Sequence, residues 1–348
     1  MSGPRIRCAV AGWGRIAANH LDALRAHADR AELIAICDPD AAARDAAMRQ
    51  TGVPVHASLT ELLAAHTADL VCILAPSGLH PSLAMQAARS GCHVLTEKPM
   101  ATRWDQALAM VRACDAAGVE LFVVKQNRLN PTVLALKQAL DQGRFGPIHM
   151  ITINVFWQRP QSYYDAAPWR GSASLDGGAF LNQASHYVDM LQWLGGPVAE
   201  VACFTGTLAR AIEMEDSGVL AFRMESGAMG SINVTMLTYP RNLEGSVTVI
   251  GERGTVKLGG TAVNQIVHWE FEQALPEDEN IMQRNYQAVS VYGSGHRPYY
   301  ANVFDTLARG GTPHTDGRGG LNSLALVLAA YESAKTRQFV RPANWTLP

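Results

Sequence analysis

Charge of one sign is missing from this sequence. The 29 Lys and Arg stand against 31 Asp and Glu, a formal net charge of -2 at pH 7. Such a balance leaves no electrostatic footprint for nucleic acid or an anionic membrane, so neither is expected as a partner. Long apolar runs are missing too, and none approaches the roughly 20 residues needed to span a bilayer. The opening MSGPRIRCAVAGWG enters a strand pattern almost at once, so no signal peptide is expected. Cysteine is scarce, with six residues and no CxxC pair. Cys8, Cys37 and Cys72 sit in the apolar runs IRCAVA, LIAICD and LVCIL, where a thiol acts as a small hydrophobe. A disulfide framework and a zinc site are both disfavoured, and a reduced, cytoplasmic protein is expected. Internal repeats, low-complexity segments and long flexible linkers are absent as well.

What is present is the composition of a soluble globular protein: 48% hydrophobic and 17% charged residues in a chain of 348. That length accommodates two domains of ordinary size. Up to residue 125, short apolar runs alternate with helical patterns. IRCAVAG precedes a helix around Ile16–Ala28, AELIAICD a helix over Ala41–Arg49, and LVCILAP a helix near His80–Ala88. HVLTEKP, a helix near Trp104–Ala117 and ELFVVK complete the series. Apolar runs separated by helices predict a parallel sheet covered on both faces, a doubly wound α/β domain of the Rossmann type. After PTVLALKQALDQGRFG, a helix closed by Gly143, the texture changes to strands joined by tight turns. ESG and ERG supply hairpin turns with a glycine available for positive φ. The chain closes with helices at Tyr299–Leu307 and Leu321–Arg337. The expectation is a dinucleotide-binding domain over 1–125 and an α+β domain with a large, mainly antiparallel open sheet over 126–348.

Gly12-Trp13-Gly14-Arg15-Ile16-Ala17 follows the first strand and opens the first helix. A Gly-x-Gly-x-x-Ala match alone marks an ordinary turn as readily as a ligand site. Its context here is specific: a first glycine for the sharp turn, a second for close approach of a pyrophosphate, then a helix N-terminus to receive the charge. The second strand ends in Asp38, where a carboxylate accepts from adenosine ribose hydroxyls. That carboxylate repels a 2′-phosphate and no Arg immediately follows in DPDAAA, so NAD is expected rather than NADP. Two further motifs lie at strand ends, Leu74-Ala75-Pro76-Ser77-Gly78-Leu79-His80 and Thr96-Glu97-Lys98-Pro99. Ligands collect at such ends in open α/β sheets. A lysine beside a bound nicotinamide suits proton transfer, since desolvation and the cofactor's positive ring favour its neutral form. The plain alternative is a surface lysine paired with Glu97.

The stretch LDGGAFLNQASHYVDML places Asn182, His186 and Asp189 at i, i+4 and i+7, on one face of a predicted helix. Read alone, His186 is a catalyst, a metal ligand or a core histidine held by Asp189, and a satisfied core histidine is the commonest of these. The metal reading is poor, because no second His or Cys lies nearby in sequence.

Taken together, the Gly-rich first turn, the strand ending Glu97-Lys98-Pro99 and the later Gly-Gly…His-x-x-Asp segment resemble the Gfo/Idh/MocA oxidoreductases. The resemblance covers essentially the whole chain. It implies that Lys98 and His186 face the nicotinamide and a substrate hydroxyl, and that the second-domain sheet forms an oligomer interface. By the same resemblance, Gly12, Trp13, Gly14, Arg15, Ile16, Asp38, Ala75, Pro76, Ser77, His80, Glu97, Lys98 and Gln126 hold the cofactor. Many members carry Asp four residues before the histidine, whereas this chain has Asn182, which excludes a carboxylate base at that position. Asn182 still donates and accepts hydrogen bonds, which suits orienting a sugar hydroxyl or the nicotinamide amide.

The segments FWQRPQSYYDAAPWRGSASLDGGAFLNQASHYVDMLQWLGGPV and GSGHRPYYANVF resemble a narrower group, the UDP-N-acetylglucosaminuronate dehydrogenases. That group shares the Asn-Gln-x-x-His variant. The resemblance implies oxidation of a sugar C3 hydroxyl with NAD, on the route to bacterial surface polysaccharides. A nucleotide diphosphate and a uronate suit the rigid forks of Arg159, Arg170 and Arg297. Tyr163, Tyr164, Trp169 and Tyr299 offer hydroxyls and flat faces for sugar or uracil, with packing as the alternative for each. Asn127, Gln183 and His296 complete the expected substrate contacts, beside Lys98, Asn182 and His186. Reoxidation of NAD in place by 2-oxoglutarate and a homotetramer are further implications of the resemblance. Three alternatives stay open: a dehydrogenase of free sugar or inositol, an NAD-dependent glycosidase, and a non-catalytic NAD-sensing regulator.

Overall fold

The short apolar runs before residue 125 form five strands, and Val55–His56 adds a sixth. In the computed structural model, which describes residues 4–288 and 290–344, these are β1 (Ile6–Ala11), β2 (Ala31–Cys37), β3 (Val55–His56), β4 (Leu70–Ile73), β5 (His93–Thr96) and β6 (Leu121–Val123). The start of MSGPRIRCAVAGWG lies outside the described residues. The strands make one six-stranded sheet in the order β3-β2-β1-β4-β5-β6, with every pair parallel. All four residues of β4 are buried, as a strand covered on both faces requires. The crossover helices are α1 (Ala17–Ala26), α2 (Ala41–Thr51), α3 (Leu59–Ala65), α4 (His80–Arg89) and α5 (Trp104–Ala117). Sequence reading passed over β3 and α3, which are too short for a periodic signal. A capping signal was nonetheless there: Ser58 accepts from the Glu61 amide at 3.2 Å, the S-x-x-E start of a helix. The strand order reverses between β1 and β4, so their C-terminal ends form the crevice where such sheets take ligands.

The second sheet has seven strands: β7 (Ile148–Phe156), β8 (Val198–Gly206), β9 (Ser217–Met224), β10 (Met229–Thr235), β11 (Glu244–Gly251), β12 (Gly254–Gly259) and β13 (Gln265–Phe271). Their order is β13-β12-β11-β7-β10-β9-β8, and β7–β10 is the one parallel pair in an otherwise antiparallel sheet. The two hairpin glycines serve different needs. Gly227 in the ESG turn takes φ 91°. Gly254 in ERG instead makes room, since a Cβ there would stand 2.3 Å from the Phe271 ring. Alternation sorts the faces: Leu220, Phe222, Ile232, Val234, Ile151 and Val249 are buried on one. The helices of this part are α6 (Pro131–Asp141), α7 (Gln161–Asp165), α8 (Ser185–Gly195), α9 (His296–Arg309) and α10 (Gly317–Thr336). Among the described residues no helix is long and apolar enough to cross a membrane.

Contacts divide the chain into two compact units. The first combines the described residues up to Lys125 with His296–Leu321, a segment that a single boundary at 125/126 leaves in the second domain. The reason is packing: α9 lies against α1, where Arg30 pairs with Asp305 at 2.8 Å and His27 contacts the Arg297 carbonyl at 2.9 Å. The second unit holds residues 126–295 and those from Asn322 onward.

Candidate functional site

The Gly-rich turn is built from both glycines for separate reasons. Gly12 donates its N–H to the Cys37 carbonyl at 2.8 Å and takes φ 100°. A Cβ there would lie 2.8 Å from backbone atoms of Leu74 and Ala75, so only glycine fits. At Gly14 a Cβ would meet nothing within 4 Å, and no positive φ demands glycine. Packing therefore does not explain Gly14, whereas the close approach of a pyrophosphate does. Helix α1 begins with no side-chain cap at Ile16, so no capping side chain claims its first N–H groups. Asp38 ties the turn to β2, accepting from Trp13 N at 2.7 Å and from Asp40 N at 2.9 Å. Each carboxylate oxygen keeps a second lone pair for a ribose hydroxyl. These residues fit a dinucleotide.

Arg44 adds what the sequence reading missed. It reaches back from α2 to the carbonyls of Asp38 at 2.8 Å and Pro39 at 2.9 Å. Asp38→Ser is therefore expected to erode NAD preference with a cation already at hand. The loss of charge-assisted bonds worth about 1.5–3 kcal/mol should shift the NAD/NADP ratio of kcat/KM by at least roughly tenfold. An unchanged ratio would refute the role of Asp38.

At the ends of β4 and β5, Leu74 N donates to Ala11 O at 2.8 Å and Glu97 N to Ile73 O at 3.0 Å, which carries both loops past the sheet edge. Lys98 is half-buried there. Two expected cofactor residues, His80 and Glu97, are buried and hydrogen-bonded within the protein. His80 is 1% exposed, and its ring spans the two loops, with Nδ1 2.8 Å from Pro99 O and Nε2 2.7 Å from Ala75 O. Burial lowers its proton affinity despite those two carbonyls. Glu97 is buried as well, with Oε1 2.9 Å from His20 Nε2 and Oε2 accepting from Lys98 N at 3.0 Å. Both side chains shape the loops from inside. Ser77 is likewise buried, while Ala75 and Pro76 are partly accessible.

In the second unit, the helix predicted through Asn182, His186 and Asp189 is broken. Ala179–Gln183 forms a π turn and α8 starts at Ser185. Such turns recur at functional sites. The glycine directly before it accommodates Glu215: a Cβ on Gly178 would lie 1.8 Å from Glu215 Oε2. Glu215 Oε1 accepts from Phe180 N at 2.9 Å and from Tyr331 OH at 3.0 Å, and burial pushes its carboxyl up to about 7. A raised folded-state value means this group's contribution to stability is complete below the unfolded value of 4.5 and is lost as pH rises through about 7. Urea titrations between pH 5 and pH 8 should show that decline, and Glu215→Gln should flatten it.

His186 is 5% exposed and its Nε2 lies 3.1 Å from Gln126 Nε2. The amide donates, so that ring nitrogen presents its lone pair. Asp189 has partners on other elements. It takes Arg128 in a two-pronged ion pair, both contacts 2.7 Å, and accepts from Ser323 Oγ at 2.8 Å, which anchors α8. Next to His186, the Gln126 Oε1 atom and both ends of the Asn127 amide are buried with no partner among the described residues. Leaving such groups bare costs about 1–3 kcal/mol each, so a ligand or water is due there.

Arg159 and Arg170 lie over the same Tyr163 ring, at 5.5 Å and 4.4 Å from its centroid. Arg159 Nε donates to Gln183 Oε1 at 2.9 Å, and Arg170 Nη1 to Tyr163 O at 2.6 Å. Asn182 donates to Asp176 and accepts from Gln183 Nε2 at 3.3 Å. Trp169 flanks Arg170, 5.6 Å from ring centroid to guanidinium. The structure thus brings Arg159, Tyr163, Arg170, Asn182 and Gln183 together as a cationic, aromatic cluster. Tyr164 is buried against Tyr163, and burial pushes its hydroxyl up.

The other expected substrate residues lie in the first unit. Tyr299 is 1% exposed with its hydroxyl donating to Val123 O at 2.8 Å, so its ring packs in the core. Arg297 is exposed on Asp22, both contacts under 3 Å at 2.8 and 2.7 Å. His296 is buried, 3.9 Å from Glu97. Sequence reading missed His20, Arg128, Glu215 and Tyr300, each of which acts through a partner distant in the chain, and Asp176, whose partners Gly171 and Asn182 are local.

Two family models match this chain. One, "Oxidoreductase family, NAD-binding Rossmann fold", matches residues 6–125. The other, "Oxidoreductase family, C-terminal alpha/beta domain", matches residues 137–341. A D-apiose dehydrogenase of Paraburkholderia graminis is 28% identical over 344 residues, 95% of this chain and 88% of its own. An inositol 2-dehydrogenase of Rhizobium meliloti is 28% identical over 350 residues, covering 96% and 98%. Among solved structures, the WlbA dehydrogenase of Bordetella pertussis in complex with NADH and UDP-GlcNAcA is 55% identical, with a TM-score of 0.95 over 100% of this chain and 99% of that one.

Proposed function

Because the chain belongs to the Gfo/Idh/MocA oxidoreductase family, as an NAD-binding sugar dehydrogenase, we propose that it oxidises the C3 hydroxyl of a UDP-linked N-acetylated glucuronate to the 3-keto sugar. The observation that carries this reading is the pair of guanidiniums on Tyr163 beside Asn182 and Gln183. A free sugar or inositol has no charge for two arginines to meet, whereas a diphosphate and a uronate do. Similarity to a structure holding UDP-GlcNAcA, at 55% identity, points the same way.

NAD, when bound, supplies the hydride acceptor. The chain's own work is to bind, to orient and to take one proton. The turn at Gly12–Gly14 and Asp38 hold the dinucleotide. Lys98 and His186 are the bases offered to the hydroxyl proton, and His186 Nε2 already presents a lone pair. Asn127 and Gln126 hold polar atoms ready for ligand. The decisive assay follows NADH absorbance with UDP-N-acetylglucosaminuronate against the free sugar acid, inositol and apiose. Turnover confined to the UDP-sugar is expected, and equal rates on the free compounds would overturn the reading. Release of free sugar or UDP would instead reveal a glycosidase. Adding 2-oxoglutarate to enzyme as purified tests whether cofactor is recycled in place, and the product's place is in bacterial surface-polysaccharide synthesis.

The second sheet's outward face supports self-association. Met229, Met150 and Ile250 stand in one cross-strand row, and Phe204 pairs with Val219 in another, all exposed. Rows of exposed apolar side chains on a sheet face mark an interaction surface, here for further copies of the chain in a tetramer. Met150→Glu with Ile250→Glu should yield a smaller species by light scattering. An unchanged mass would remove this face from consideration.

A further inference from the structure

Resting on the reading of Lys98 as a reacting group, we propose that His20 is a positioning residue for Lys98, acting through Glu97, with Tyr300 setting the hydrogen-bond direction at His20. No motif singles His20 out, yet its ring is 1% exposed and fully engaged. Glu97 Oε2 accepts from the Lys98 backbone N–H at 3.0 Å, which fixes the peptide from which the lysine side chain springs. Glu97 Oε1 faces His20 Nε2 at 2.9 Å and His296 Nε2 at 3.9 Å. A carboxylate only accepts, so His20 Nε2 carries a proton. A neutral ring then accepts at Nδ1, where the Tyr300 hydroxyl lies 2.7 Å away and gives its single proton. Cys72 Sγ stands 3.4 Å from that tyrosine oxygen and ends the chain.

The groups facing Glu97 are His20 from α1, His296 and Tyr300 from α9, His80 from α4 and Lys98 beside it, with Cys72 from β4 behind Tyr300. Burial pushes the Glu97 carboxyl up, but the hydrogen bond from His20 and the nearby His296 pull it well below the usual range. Burial lowers the proton affinity of His20. The ligand atoms of His20, Glu97 and His296 all lie within 4.8 Å of one another, as a metal set would. The 2.9 Å contact between two of them is instead a hydrogen-bond length, with the proton where an ion would sit.

Without His20, the carboxylate loses the donor that keeps it ionised, protonates at higher pH and releases the Lys98 amide. His20→Ala should therefore lower kcat roughly 10- to 100-fold, the scale of a misplaced reacting group. KM for NAD should hardly move, and the acid limb of the kcat profile should shift to higher pH. His20→Gln keeps an N–H toward Glu97 and should recover most of kcat and the original profile. Tyr300→Phe serves if the alanine variant does not fold. Glutamate labelled at 13Cδ, with Glu97 assigned from Glu97→Gln, should show Glu97 ionised to lower pH in the wild type and His20→Gln than in His20→Ala. A wild-type profile in His20→Ala, a glutamine variant as slow as alanine, or a Glu97 signal that moves with chelator would each overturn the proposal. If the wild type turns over no UDP-sugar, the substrate reading fails, while the Glu97 signal still judges His20.

Discussion

Lys98→Ala and His186→Ala should each lower kcat by about 10²–10⁴-fold, the range for loss of a positioned acid or base. Both should leave NAD binding intact. The reasons differ for the two residues. Lys98 projects from the loop after β5, where Glu97 holds its amide and His80 holds the next carbonyl. Removing the side chain beyond Cβ leaves those backbone bonds in place, so cofactor affinity has no cause to fall. His186 is held through α8 by Asp189 and Arg128, and its Nε2 accepts from Gln126. Its loss removes a lone pair without unfolding the helix. If both serve one proton transfer, the double variant should be scarcely slower than the worse single one. Fluorescence titration with NADH and stopped-flow turnover separate binding from chemistry. Near-normal turnover in both single variants would sink the mechanism.

Arg128→Met should destabilise the protein by about 3–5 kcal/mol, the cost of leaving a buried carboxylate without its partner. The Asp189 side chain is 2% exposed and that of Arg128 15%, so water replaces little of what is lost. Ser323 Oγ still donates to Asp189, but a neutral hydroxyl does not neutralise a charge. Adding Asp189→Leu should recover much of the loss, since a well-packed apolar pair often matches a buried ion pair. Arg103→Ala is the control: that arginine and Asp105 are 66% and 64% exposed, and such pairs contribute about 0–1 kcal/mol. Urea unfolding of the four proteins checks the order. A loss in Arg128→Met no greater than in Arg103→Ala would show that Asp189 finds another partner.

Much of the fold was legible because its signals are short-ranged. Strand, glycine turn and helix follow one another within a dozen residues at Ile6–Ala17, and the Rossmann order repeats that unit. Element ends were less exact, as with α9, which starts at His296 rather than Tyr299 and carries the buried His296 into the first unit. The site was legible where a motif is contiguous, as at Gly12–Gly14, Asp38 and Glu97-Lys98-Pro99. It was not legible where partners are distant. His20 meets Glu97 across 77 positions and Tyr300 across 280. No local periodicity encodes such a pairing.

By itself the sequence determined a parallel dinucleotide domain, a second sheet and the identity of the ionisable groups, since strand runs, turns and charge are properties of neighbouring residues. Tertiary structure alone decided what each group faces. It turned Glu97 and His80 inward, made Tyr299 and Tyr164 core, split one predicted helix at a π turn, and paired Asp189 with Arg128. Burial decides these roles, because a polar side chain removed from water must take whichever partner the fold brings within reach.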